Sequence, residues 1–391
     1  MGCPAGLMNK HFGSLLLLCI CGLPACWNAE EKAAVAKLKP TKDPIQEEIY
    51  GFRLKMRALY NNRRFAELEP VAAEIRRTKP LFGNGSWKIA QFYESFACRR
   101  EEPESMWQLH DRIHEEWIAQ FPASITARVA YADFLREYAW HARGTDFADK
   151  VPEEGWRLFG ERLDLARNTL AESRSLTDKD PFWWVVALGV ALGQQWPKNE
   201  YDELLENAKA FEPKFWGYDI ARAISLLPRW YGEPGDWEAY AEQAAARPDG
   251  LGAETYARIV MALHAYYDNV FHETKASWPQ VREGLIEMRQ KYPRSFELLN
   301  HTALLSTLGN DRELAKEIFG KLGDSYLPSV WGKPERFVRS RKWAETGVQW
   351  AEVEGERKME SRNSGAGAHR NRTRGVADGP SRHFRIPVRT R

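Results

Sequence analysis

One apolar spacing occurs near both ends of this 391-residue chain and narrows what it can fold into. Near the start it runs Phe52, Leu59, Phe65, Leu68, Ala72, Ile75, Pro80. Near the end it runs Leu299, Ala303, Ser306, Gly309, Ala315, Phe319, Leu322. In each, two stripes at helical spacing flank a short polar turn, Asn61-Asn62-Arg63-Arg64 and Gly309-Asn310-Asp311-Arg312. A two-helix unit of this size cannot bury its apolar face alone, so neighbouring units must stack on it. The chain therefore reads as an array of helical hairpins, an architecture that binds more often than it catalyses.

Helical periodicity begins near Ile45. Pro, Gly and Asp/Asn clusters then punctuate it, at Pro80-Leu81-Phe82-Gly83-Asn84-Gly85, Phe121-Pro122, Arg143-Gly144-Thr145-Asp146, Asp178-Lys179-Asp180-Pro181, Glu212-Pro213, Gly232-Glu233-Pro234-Gly235-Asp236, Arg247-Pro248-Asp249-Gly250, Tyr292-Pro293 and Gly323-Asp324. Each is a helix start or stop signal. Between them lie apolar patterns such as Ala127-Tyr131-Phe134-Tyr138 and Ile259-Leu263-Tyr266-Val270, which predict helices. Phe182-Trp183-Trp184-Val185-Val186 would pass for a strand, but it continues as Ala187-Leu188-Gly189-Val190-Ala191-Leu192 and so reads as one buried helix.

The hairpins resemble tetratricopeptide units, which want small residues where two helices cross and an aromatic before a closing proline. Tyr201, Leu204, Ala208 and Phe211 before Pro213 fit a second helix, as do Trp237, Tyr240 and Ala244 before Pro248. The expected fold is all-α: tetratricopeptide-like helical hairpins stacked into a right-handed α-solenoid over residues 44–345. A more specific resemblance rests on Tyr138-Ala139-Trp140-His141-Ala142-Arg143-Gly144, Glu154-Gly155-Trp156-Arg157-Leu158-Phe159, Phe215-Trp216 and Pro228-Arg229-Trp230-Tyr231-Gly232-Glu233-Pro234-Gly235-Asp236-Trp237. These resemble the bacterial domain-of-unknown-function family 4034, over roughly Ile45 to Trp343. That resemblance implies a helical fold and brings no catalytic residues with it.

The net charge of +2 hides a split. From Arg362 to Arg391 there are eight Arg, no Lys and the single acid Asp378, so the rest of the chain is mildly acidic. The folded body therefore has no electrostatic footprint for nucleic acid. Residues 346–391 read as a disordered Arg-rich tail, with a shifted reading frame as the other explanation of their composition. Residues 1–29 read as an export signal: Lys10 and His11, an apolar run from Leu15 to Ile20, then Gly22-Leu23-Pro24-Ala25-Cys26. Leu23-Pro24-Ala25-Cys26 resembles a lipobox that would make Cys26 a lipidation site, although Pro24 departs from the pattern; plain secretion with cleavage near Ala25 or Ala29 is the alternative. The expected location is thus periplasmic, membrane-anchored through Cys26, or secreted. Residues 30–43, charged and Lys/Ala-rich, read as a linker. Apart from Cys26 at its edge, the mature body keeps only Cys98, so no disulfide framework is expected, and no thiolate zinc site either.

Two constellations can carry chemistry. His110 and His114, at i and i+4, share one side of a helix, the geometry of a zinc chelate. Asp111 stands where a metalloprotease would place glutamate, and no third ligand shows at a familiar spacing; a solvated or core-edge pair is the plainer alternative. Trp140, Arg143 and Trp156 form a possible ligand-binding group, since Arg beside aromatics binds carboxylates or stacks on rings. Its plain alternative is an aromatic corner with Arg143 capping a helix next to Gly144. No phosphate loop, dinucleotide fingerprint or nucleophile elbow occurs. No cofactor is expected. The expected function is an exported, non-catalytic scaffold for a protein or peptide partner; the alternative is a metal- or small-ligand-binding protein or hydrolase with its site near His110 and His114.

Overall fold

The computed structural model describes residues 23–144 and 148–347. Within them the chain forms seven helical hairpins in sequence, each a first and a second helix. They are α2 (Pro44–Asn61) with α3 (Phe65–Thr78), α4 (Lys88–Glu94) with α5 (Glu104–Gln120), and α6 (Ile125–Arg143) with α7 (Glu153–Ser173). Then come α8 (Pro181–Gly193) with α9 (Lys198–Phe211) and α10 (Gly217–Ser225) with α11 (Asp236–Ala245). The sixth pairs α12 (Ala253–Leu263) with α14 (Trp278–Lys291), the short α13 (Val270–Glu273) lying between, and the seventh pairs α15 (Phe296–Leu308) with α16 (Arg312–Leu322). An N-terminal α1 (Leu23–Lys37) and the C-terminal α17 (Pro328–Trp331) and α18 (Pro334–Thr346) complete the helices. The fold is the expected all-α helical repeat: α6, α8, α10 and α12 pack successively on one another, and each second helix covers its own first helix except α5, which packs on α6.

Three of the hairpins turn by one device. Arg63, Gln195 and Asn310 all adopt the left-handed conformation, with φ of 56°, 57° and 57°. In each turn the next residue's N–H reaches back five residues: Arg64 to the Leu59 carbonyl, Trp196 to Ala191 and Asp311 to Ser306. The left-handed residue itself donates to the carbonyl three back, Tyr60, Leu192 and Thr307. This pairing satisfies carbonyls that a helix end leaves open and reverses the chain in three residues. Helix starts are equally local. Asp43, Ser124, Asp180, Ser295 and Asp311 each accept a first-turn backbone N–H on a side-chain oxygen.

The expected helix through Ile259-Leu263-Tyr266-Val270 is broken. α12 ends at Leu263, a 3₁₀ turn follows over His264–Tyr266, and Asn269 restarts the chain by capping α13. Asn269 Nδ2 donates to the Leu308 carbonyl at 3.1 Å, a bond to another hairpin that an unbroken helix would forfeit.

The stack closes on itself. The loop between α3 and α4 crosses to later hairpins: Trp216 Nε1 donates to the Gly85 carbonyl at 3.1 Å, and the Trp87 and Phe215 rings stand 4.9 Å apart. Asn84 Nδ2 donates to the Glu297 carboxylate at 3.3 Å. Asp43 Oδ2 accepts the Glu297 N–H at 2.7 Å, so one side chain caps both α2 and α15. Residues 30–43 are not the linker their composition suggested. α1 packs on α18, with Glu31 buried and paired to Arg339 at 2.9 Å, and Lys39–Pro40 (β1) pairs in parallel with Ser325–Tyr326 (β2). Of the charged residues there, Glu31 is spent on an internal contact, while Lys32, Lys37 and Lys39 stay exposed. Of residues 1–29, read from the sequence as an export signal, 1–22 lie outside the described residues and 23–29 fall within α1; the tail beyond 347 also lies outside the described residues. Cys26 falls within α1. No described helix is long and apolar enough to cross a membrane.

Candidate functional site

The first helices of hairpins three, four and five leave a groove of about 510 Å³. Its floor is apolar, made by Val185, Leu188 and Leu192 of α8 with Ile220 and Ile224 of α10. Gly189 permits the close approach of α6. A Cβ there would stand 2.6 Å from Arg136 Cδ, so the missing side chain is what lets Arg136 lie across the α6–α8 crossing. Arg136 is then spent internally, on Asp133 at 2.6 Å and Glu137 at 2.8 Å, and these two carboxylates hold its guanidinium pKa above the ordinary arginine value against the cost of burial.

The rim is cationic and aromatic. Arg100, Arg143 and Arg229 line it with Trp140, Trp230 and Tyr266. The Trp140 and Trp230 rings meet edge to face at 5.4 Å, which ties α6 to the chain following α10. Arg229 lies over Trp230 at 5.8 Å and over Tyr266 at 5.5 Å. Among the described residues Arg100 and Arg229 form no ion pair with a carboxylate. Arg143 lies over both Trp140 at 5.8 Å and Trp156 at 5.4 Å, and donates to the Gly144 carbonyl at 3.2 Å. Trp140, Arg143 and Trp156 therefore do come together. Both of their readings describe the same place: Arg143 sits at a helix end on an aromatic corner, and that corner is one end of the groove. Trp156 stands outside the groove lining. Arg229 and Tyr266 were missed as site residues. Arg229 lies in a stretch singled out only for its family resemblance, and Tyr266 was assigned to a helix that is in fact broken.

His110 and His114 occupy a different environment from the solvated or core-edge one considered for them. Both are buried, at 2% and 0% exposure, because α5 turns them towards Tyr60 of α2 and Phe134 of α6. His114 sits among Tyr60, Tyr131 and Phe134 with ring centroids 5.0 to 5.8 Å away, and neither of its ring nitrogens has a hydrogen-bond partner. Burial depresses the pKa of both, to about 4 for His110, so both are neutral at pH 7. The side chains of metal-ligating type that converge on His110 are Cys98 and Glu102, with all three ligand atoms within 4.8 Å of one another, and His114 is not among them. Burial pushes the Cys98 thiol up to about 12.

No family model, no curated protein and no solved structure matches this chain.

Proposed function

We propose that this chain is a non-catalytic helical-repeat scaffold, exported to the bacterial envelope, that binds a protein or peptide partner in the groove across α6, α8 and α10. The observation that carries the reading is the groove's composition: an apolar floor about three helices wide beneath a rim of Arg100, Arg143 and Arg229 backed by indole and phenol rings. Such a rim suits a segment bearing carboxylates. Arginine on an aromatic face keeps its charge while losing little freedom on binding, and like-signed charges around an apolar trough raise the local concentration of an oppositely charged partner. The resemblance to family 4034 belongs to this proposal and rests on residues around Trp140, Trp156 and Trp230. Membrane attachment would run through Cys26 alone.

The test is crosslinking from within the groove. A photoreactive residue at position 229 and another at the exposed Tyr50 are compared in envelope preparations of the native host. A product formed from position 229, absent from position 50 and lost when Arg143 is changed to Glu, supports the reading. Equal labelling from both positions, or none from 229, overturns it.

A further inference from the structure

We infer that Cys98, Glu102 and His110 form a binding site for one thiophilic divalent cation of the zinc class. The three come from adjacent pieces of chain. Cys98 and Glu102 lie four residues apart in the turn joining α4 to α5, a turn closed by the Glu102 N–H donating to the Arg99 carbonyl at 3.1 Å. His110 follows on the inward face of α5, between the buried Trp107 and His114. Their ligand atoms, one sulfur, one carboxylate oxygen and one ring nitrogen, all lie within 4.8 Å of one another. Around a tetrahedral zinc, bonds of about 2.0–2.3 Å set such donors roughly 3.3–3.7 Å apart. The three are therefore within side-chain adjustment of a metal's first coordination sphere.

A second observation is independent of that proximity. Glu102 Oε2 is buried and accepts no hydrogen bond. A carboxylate oxygen in that state costs free energy unless an ion or water meets it, and such orphans mark positions where a ligand belongs. Cys98 is likewise a buried thiol outside any disulfide. His110 is held for the role by Tyr60, whose hydroxyl stands 3.4 Å from its Nδ1 and donates to its carbonyl at 3.2 Å, the kind of outer contact that orients a metal-bound imidazole. Arg57 donates to the Ser95 and Ala97 carbonyls at 3.1 and 2.9 Å and brings a positive charge near the site. A dication held by one thiolate, one carboxylate and a neutral imidazole carries no net charge, so Arg57 opposes it little; the thiol proton leaves to solvent as the S–metal bond forms. Donors of mixed S, N and O character favour zinc over calcium or magnesium, and three protein ligands leave a fourth position for water. A single cysteine provides no thiolate set, which is why counting cysteines along the sequence gave no zinc site.

Cobalt(II) and zinc on the purified full chain test this. Cobalt is expected to bind at one equivalent with a thiolate-to-metal charge-transfer band. The band should be lost in Cys98→Ser and weakened at least tenfold in affinity in Glu102→Gln, and it should be unchanged in His114→Asn. Saturating zinc is expected to raise the melting temperature by about 5 °C in the wild type and not in Cys98→Ser. A wild-type chain without the band, or a band that survives Cys98→Ser, overturns the site. Should Cys98→Ser fail to fold by circular dichroism, Glu102→Gln decides alone, and undiminished cobalt affinity in that variant overturns it equally.

Discussion

Asp43 and Asp180 begin from the same local chemistry and end with different consequences. Each precedes a proline at a helix start, each has extended backbone, and each gives Oδ1 to the N–H two residues on at 2.8 Å. Their second oxygens diverge. Asp43 Oδ2 takes the backbone N–H of Glu297, joining the N-termini of α2 and α15, both of which favour a negative charge. Asp180 Oδ2 takes the Tyr93 hydroxyl at 2.6 Å and Arg76 at 3.3 Å, so it fixes a phenol and a guanidinium inside the joint between the first, second and fourth hairpins. One aspartate closes the stack end to end by backbone caps; the other holds a buried phenol and a guanidinium that also reaches Thr126. The local cap is common to both, and the cost of losing each is set by what its second oxygen holds.

The sharpest way to break the comparison is Asp180→Ala. It removes a cap, leaves the buried Tyr93 hydroxyl without its acceptor, and leaves Arg76, 10% exposed, with only the Thr126 hydroxyl at 2.8 Å and the Asp178 carboxylate at 3.9 Å. A loss of about 3–5 kcal/mol is expected from urea unfolding; under 1 kcal/mol would mean that Arg76 finds another partner. Asp43→Ala strands only two backbone N–H groups at helix starts and should cost about 2–3 kcal/mol. Hydrogen exchange at the Glu297 amide should accelerate in that variant while the Phe182 amide stays protected; equal acceleration at both would erase the distinction.

Gly85→Ala tests the same closure from the loop side. Gly85 has φ of 79°, and a Cβ there would fall 2.3 Å from Arg258 Nη2 and 2.6 Å from Tyr292 Cζ. The variant should cost about 2 kcal/mol, and unchanged stability would mean that the loop lifts away from α12 and α14 at little expense.

Acid should weaken the α15 side through two partly buried histidines. His264 and His301 stand 5.7 Å apart beside α15, with Nδ1 bonded to the Met261 and Glu297 carbonyls, and burial holds both at about 4. The unfolded chain takes up their protons near pH 6.5 while the folded chain does not, so stability falls as pH drops from about 6.5 towards 4. Each histidine contributes a slope of roughly 1.4 kcal/mol per pH unit. His264→Gln should flatten the acid limb by about that amount. An acid limb unchanged by His264→Gln would show that His264 is protonated in the folded state across that range. The smallest expected effect is Arg100→Glu on the groove rim, which should change stability by less than about 0.5 kcal/mol while abolishing partner crosslinking from position 229.

Much of the fold was legible because its signals are local. The polar turns at Asn61–Arg64 and Gly309–Arg312 and the buried helix at 181–193 all follow from residues within one turn of themselves. The misreadings share a cause. Residues 30–43 looked like a solvated linker because Glu31's partner, Arg339, lies at the far end of the sequence. The helix drawn through Tyr266 failed because Asn269 answers to Leu308, in the next hairpin. For the candidate sites, Trp140 and Arg143 were found because they are neighbours on one helix, and Arg229 was missed because it reaches them only across the α6–α10 contact. His110 was noticed for its spacing to His114, whereas the fold surrounds it with Cys98 and Glu102, whose four-residue spacing crosses a loop and carries no helical periodicity.

By itself, then, the sequence determined an all-α array of helical hairpins, most of the punctuation between helices, and two of the hairpin turns. Those outcomes depend on hydrogen bonds and apolar stripes that span four or five residues. Only the tertiary structure decided that the array closes on itself through Asp43, Gly85 and Glu31, that a cationic groove runs across three first helices, and that a thiol, a carboxylate and an imidazole meet. The physical reason is that a hydrogen bond or a ligand set has no memory of sequence distance. Its partners are chosen by the stacking of whole helices, and stacking is a property of surfaces that no single stretch of chain contains.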